Sequence, residues 1–180
     1  ENNIAVLIAE NKEEARNKIK ELIPEKSEVM TMTSFSLDET GIEKEINEPG
    51  KYKLVREELA KESNEKNKKA MVSTADFAIG SAHALTEKGE LLIASNTGSQ
   101  LPAYAYNAGK VIFVMGSQKI VENIQEGIKR IYEHSLPLES ERAKKAYGVA
   151  GSSVNKILII NKEAQDKRIM VLIVNEKVGF

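Results

Sequence analysis

There is no cysteine among these 180 residues. That absence excludes a disulfide framework, a cysteine nucleophile, and any zinc or iron–sulfur centre held by thiolates of this chain. Histidine is nearly as scarce. His83 and His134 are the only two, and they lack the short spacing of paired metal ligands, so no dedicated transition-metal site is expected. No apolar run approaches the roughly 20 residues that a membrane helix needs. The apolar run Ile4–Ala9 is short and reads as a strand, so no signal peptide is expected. An excess of one charge is missing too. Lys and Arg number 26 against 27 Asp and Glu, which gives no electrostatic case for nucleic acid or an anionic membrane. A cytoplasmic location fits these absences. The first residue is Glu1 rather than methionine, so further residues are expected upstream.

What is present reads as one α/β domain over residues 1–180, a length that buries one core well and is short for two. Ile4–Ala9 is continuously apolar, as in a strand covered on both faces. Asn11 can cap the next helix, whose stripe is Ala15, Ile19, Leu22 and Ile23, with Pro24 ending it. Val29–Thr33 is a second strand. Ser36 and Glu39 are spaced as a capping box for a short helix carrying Leu37, Ile42 and Ile46, and Pro49-Gly50 closes that helix. Tyr52–Val55 is a short strand, and the charged run Arg56–Lys69 an exposed helix. Phe77–Ile79 and Leu91–Ala94 are strand-like, with a hairpin turn at Lys88-Gly89 between them. Pro102 opens a helix to about Asn107, which Gly109 stops. Val111–Met115 is the clearest buried strand. Ile120, Ile124, Ile128 and Ile131 recur at helical spacing, with Ser135 and Pro137 ending that helix. A charged helix covers Glu139–Tyr147 and stops at Gly148. Two strands, Lys156–Ile160 and Arg168–Val174, form an antiparallel C-terminal pair. The alternation implies a mostly parallel sheet with helices on both faces.

Three strand-to-helix junctions carry the candidate chemistry. At Thr33, Ser34 and Ser36, free N–H groups and hydroxyls either cap the helix or hold an anion. Asn96, Thr97, Gly98, Ser99 and Gln100 form a second polar junction, where Gly98 permits close backbone approach to a ligand. Lys119 lies at the third, either as a solvent-exposed lysine or as a point charge for an anion. In an open parallel sheet such junctions share the carboxyl edge of the strands, where ligands bind. His83 is a candidate acid or base, or a hydrogen-bonded structural residue. Glu87 is a candidate catalytic acid or base, as a carboxylate at the cleft, or else a turn residue. His134 reads as a helix-terminal cation. No residue pattern names a cofactor.

The segments Ala84–Leu91, Ser95–Pro102 and Lys119–Val121, together with Thr33–Ile42 and the tail Val174–Phe180, resemble the LUD (lactate-utilisation) domain family. The resemblance spans about Ala15–Phe180. It implies a fold like that of ribose-5-phosphate isomerase, glucosamine-6-phosphate deaminase and the CoA transferases. In that superfold a serine- and threonine-rich first turn handles phosphate, which falls on Thr33, Ser34 and Ser36. The Gly80-Ser81-Ala82-His83 turn, whose Gly80 and Ser81 are candidate ligand contacts, stands where sugar-phosphate isomerases carry catalytic acids, and those acids are missing. A CoA-transferase glutamate motif is missing as well. Short relatives with a cysteine-rich insert have it where this chain has Ala150–Val154. The resemblance further implies a small anionic ligand (carboxylate, phosphate or CoA-like) and an accessory role in lactate, organic-acid or redox metabolism. It leaves two alternatives open, an isomerase or acyl-transfer enzyme and a docking module for an iron–sulfur or flavin subunit. Homo-oligomerisation is expected from the habits of such proteins.

Overall fold

The computed structural model describes residues 2–48 and 50–180. Its strands are β1 (Ala5–Ala9), β2 (Glu28–Thr31), β3 (Lys53–Leu54), β4 (Phe77–Gly80), β5 (Ala84–Thr86), β6 (Leu91–Ser95), β7 (Lys110–Gly116), β8 (Ile120–Val121), β9 (Lys156–Ile160) and β10 (Ile169–Val174). The helices are α1 (Lys12–Leu22), α2 (Phe35–Thr40), α3 (Ile42–Ile46), α4 (Val55–Lys61), α5 (Glu65–Ser73), α6 (Ile124–Arg130) and α7 (Leu136–Tyr147).

Six strands form a wholly parallel sheet in the order β1-β10-β7-β4-β2-β3. Its central members, β10, β7 and β4, are near-continuous apolar segments because helices or a second sheet cover both faces. On one face α1, α2 and α3 bury Ile19, Leu37, Ile42 and Ile46 against Ile79, Ile112 and Leu172. On the other, Phe113, Val171 and Met30 pack with Tyr104, Leu91 and Ile93. Fully burying one such side chain contributes about 1.5–3 kcal/mol. The remaining strands form a mixed sheet, β8-β5-β6-β9.

Several expectations change. β1 is an edge strand: Val6 is 53% and Ile8 59% exposed, so its second face is open. The C-terminal strands do not pair with each other. β9 runs antiparallel to β6, while β10 is inserted in parallel between β1 and β7. β10 is apolar on both sides and needs a central place, and β9 has only partial cover. The chain crosses between sheets through a buried pair in which Arg168 Nε donates to Glu163 Oε2 at 2.7 Å. The Lys88-Gly89 turn joins β5 to β6 rather than β4 to β6, and Gly89 has φ +87° as such a turn requires. The charged run splits into α4 and α5, with Asn64 capping the second. Ile120 belongs to β8, paired with Leu85, and the helix starts only after Asn123, whose side chain accepts from Glu126 N–H. Nor does that helix stop at Ser135. A π-helical stretch, Ile131–Ser135, carries it into α7, and the looser turn accommodates Pro137 and holds His134 mid-helix. Pro49 lies outside the described residues; the turn at Gly50 has φ +89°.

Candidate functional site

A cleft of about 530 Å³ lies where the ends of β2, β4 and β7 meet the second sheet. Such a volume suits a small metabolite. All three junctions singled out in the sequence reach it. Two come from the parallel sheet and the third, after β6, from the other sheet, so the shared sheet edge explains only part of the convergence.

Lys119 forms the floor. It ends a short 3₁₀ turn, Ser117–Lys119, after β7 and is only 4% exposed. Its Nζ donates to Ser36 Oγ at 2.9 Å, to Ser81 Oγ at 3.1 Å and to the Ala82 carbonyl at 3.4 Å. Burial pushes the amine down to about 7, helped by the Arg130 guanidinium and opposed by Glu39. Ser36 is therefore no helix cap. The cap position of α2 is Ser34, whose side chain makes no capping hydrogen bond, and Ser36 sits buried one residue inside the helix, turned onto Lys119. Glu39 is likewise outside a capping box; its Oε2 accepts from Gly179 N–H at 2.6 Å.

That bond anchors the tail. Gln118 Nε2 donates to the Val178 carbonyl at 2.9 Å, and Phe180 stacks on Phe35 with centroids 4.7 Å apart. Gly179, at φ +71°, has no room for a side chain: a Cβ there would lie 2.1 Å from Ser36 Oγ and 3.0 Å from Lys119 Nζ. The tail thus completes the cleft floor beside Lys119.

His83 is on the wall. Its Nδ1 accepts from Ala94 N–H at 3.1 Å, so the neutral ring carries its proton on Nε2. Burial, with Lys119 and Arg130 nearby, drives its pKa down to about 3. His83 is thus a neutral hydrogen-bond donor, not a base with a pKa near neutrality. Arg130 supports this wall through its NH1, which donates to the His83 carbonyl at 3.1 Å and Ser135 Oγ at 2.9 Å.

Thr33, Ser34, Ser81, Asn96, Thr97, Ser99 and Gln100 also line the cleft. Much of the Ser95–Gln100 loop is internally satisfied: Ser95 Oγ donates to Gln100 Oε1 at 3.0 Å and accepts from Gly98 N–H at 2.8 Å. Three candidates fall elsewhere. Glu87 is exposed at a turn, with its N–H on the Val121 carbonyl. Gly80 is packed beneath Tyr104, where a Cβ would come within 1.8 Å of the phenol oxygen. Gly98, at φ +84°, serves the loop and faces the Lys156 side chain.

Arg56 was hidden in the charged run, read there as a solvated face. Its Nε donates to the Thr31 carbonyl at 2.7 Å and its NH2 to Thr33 Oγ1 at 3.1 Å, at the cleft wall. Among the described residues neither Arg56 nor Lys119 forms an ion pair. Arg142, by contrast, is held by both Glu139 oxygens at 2.7 Å. The cleft therefore holds a buried amine and a half-buried guanidinium, and burial makes the charged form of the amine costly. No group of three or more metal-ligating side chains occurs among the described residues.

Residues 1–174 match the family model of the LUD domain. The chain belongs to the LUD domain family. The family resemblance read from several segments of the sequence is thereby established. Among solved structures, this LUD domain is similar to a DUF162 family protein from Deinococcus radiodurans. That likeness has 13% identity and a TM-score of 0.58 and covers 96% of this chain and 88% of that one; it shows the fold alone. Likenesses to eIF2B beta and eIF2B delta from Chaetomium thermophilum have TM-scores of 0.43 and 0.44, at 14% and 16% identity. They cover 62% and 66% of this LUD domain and 43% and 50% of those chains, and they carry no weight. No curated protein matches. The tail Asn175–Phe180, which finishes the cleft floor, lies beyond the span matched by the LUD model.

Proposed function

We propose that this LUD domain binds a small anionic metabolite, a carboxylate, phosphate or CoA-like compound, in the cleft above Lys119, and serves organic-acid or redox metabolism as an accessory protein. One observation carries the reading. Among the described residues, a buried lysine and a wall arginine face the same cleft with no carboxylate paired to either. Hydroxyls of Thr33, Ser34 and Ser99 and the Nε2–H of His83 add neutral donors of the kind that orient an anion's oxygens.

A thermal-shift panel tests it: lactate, pyruvate, sugar phosphates, nucleotides, folates and CoA esters, each at millimolar concentration. A ligand at about 100 times its dissociation constant stabilises the fold by roughly 2.7 kcal/mol. Stabilisation by one anionic class supports the reading. A folded protein indifferent to the whole panel contradicts it.

A further inference from the structure

Lys119 differs from a lysine that only supplies charge. A lysine locked to a carboxylate stays an ammonium ion and cannot attack a carbon atom. Here the partners are two hydroxyls, Ser36 and Ser81, and the Ala82 carbonyl. A hydroxyl can accept from an ammonium or donate to a free amine, so this cradle serves both protonation states. The two hydroxyls also hydrogen-bond each other, Ser36 Oγ donating to Ser81 Oγ at 3.1 Å, and Ser81 Oγ donates in turn to the Ala82 carbonyl at 3.2 Å. Nζ stands at the floor of the cleft, and Nε2–H of His83, a neutral donor, belongs to the same wall.

We infer that Lys119 is a covalent site, whose amine condenses with the aldehyde or ketone group of a small carbonyl compound bearing a carboxylate or phosphate. The inference rests on the anion-binding reading of the cleft. In the reaction the amine lone pair attacks the carbonyl carbon, a C–N bond forms, and the carbonyl oxygen takes up a proton. The carbinolamine then loses that oxygen as water, together with the second nitrogen proton, and leaves an imine. No oxidant or reductant is consumed. Arg56 and the Thr33 hydroxyl supply the place for the anionic end, and His83 supplies a hydrogen bond for the carbonyl oxygen. Burial of the amine keeps a large fraction as free base near neutrality.

The experiment traps the imine. Wild-type protein is incubated with glyoxylate or with glyceraldehyde 3-phosphate, reduced with cyanoborohydride and mapped by peptide mass spectrometry. The expected result is a reduced adduct on Lys119 at concentrations that leave exposed lysines unlabelled. Glycolate should protect against the first reagent, or glycerol 3-phosphate against the second. The reagent that labels at the lower concentration identifies carboxylate or phosphate as the anionic end. Labelling confined to exposed lysines overturns the inference. Stabilisation by glycolate or glycerol 3-phosphate without an adduct on Lys119 overturns it too and leaves the anion-binding cleft standing. Neither stabilisation nor an adduct on Lys119 overturns both. The mapping uses wild-type protein, so it does not depend on any variant folding. Lys119→Met should lose the adduct, with its fold checked by circular dichroism.

Discussion

Lys119 Nζ and Ser36 Oγ, 83 positions apart in sequence, lie 2.9 Å from each other beneath the cleft. That contact joins the end of β7 to α2, and it places an amine of lowered basicity where a ligand can enter. The buried amine has a measurable consequence for stability. It titrates near 10.5 when unfolded and near 7 when folded. Between those values the unfolded chain holds a proton that the folded chain lacks. Stability therefore rises with pH across that window, by up to about 1.4 kcal/mol per pH unit. Urea unfolding of wild type and Lys119→Met at several pH values across the window checks this. The wild-type curve should climb more steeply than that of the variant.

His83 gives the corresponding behaviour in acid. Its pKa falls from 6.5 to about 3 on folding, so its share of the stability is complete above 6.5 and is lost as pH drops toward 3. His83→Asn, which keeps an acceptor for Ala94 N–H, should lose stability less steeply in that range. Nitrogen NMR should show the His83 ring neutral with its proton on Nε2 at about pH 5, where an ordinary histidine is protonated.

Arg56 should matter to ligand affinity more than to the fold. Hydrogen bonds to a charged partner contribute about 1.5–3 kcal/mol, so Arg56→Ala should weaken binding of a stabilising anion by roughly 10- to 100-fold. Arg56→Lys should restore part of the affinity, as a point charge without the planar fork. Isothermal titration calorimetry reads both.

Gly179 and Gly148 make a controlled pair. Both have positive φ, +71° and +68°, but a Cβ on Gly179 meets Ser36 and Lys119 whereas one on Gly148 meets open space. Gly148→Ala should cost about 1 kcal/mol of backbone strain. Gly179→Ala should cost more and should also weaken anion binding, because it displaces the floor. Thermal unfolding and the ligand titration distinguish the two.

Arg168 anchors the π-helical turn Ala103–Asn107. Its NH2 donates to the Tyr104 carbonyl at 2.7 Å, while Nε is bonded to Glu163. Removing one partner leaves the other buried and uncompensated. Glu163→Gln should destabilise by about 3 kcal/mol in urea unfolding, and Arg168→Met by a similar amount.

The parallel sheet was legible because β7 is apolar on both faces and strands alternate with helices along the chain, and the capping of α1 because Asn11 stands before a clean stripe. Which strands pair was not legible. β9 and β10 are neighbours in sequence and both rich in aliphatic residues, which reads as a hairpin, whereas β10, apolar at every position, takes a central place in the parallel sheet and β9 pairs with β6. Ile120 kept the helical period of Ile124 and Ile128, yet Asn123 captured the cap and released Ile120 to β8. In the site, the polar turns were visible as composition. The role of Ser36 was not, since its spacing to Glu39 imitates a capping box while its hydroxyl is committed to a lysine 83 residues away. Arg56 was masked by its charged neighbours, while the conformational freedom of Gly98 serves its own loop and Gly80 is packed beneath Tyr104.

The most direct measurement follows the side-chain signal of Lys119 by NMR in protein carrying labelled lysine, with and without a stabilising anion. Lys119 should titrate near pH 7, apart from the exposed lysines. Its pKa should move upward when the anion enters, because an opposite charge favours the ammonium form. A Lys119 signal that titrates with the surface lysines, or that stays unmoved by an anion that stabilises the fold, would contradict an anion site at this floor.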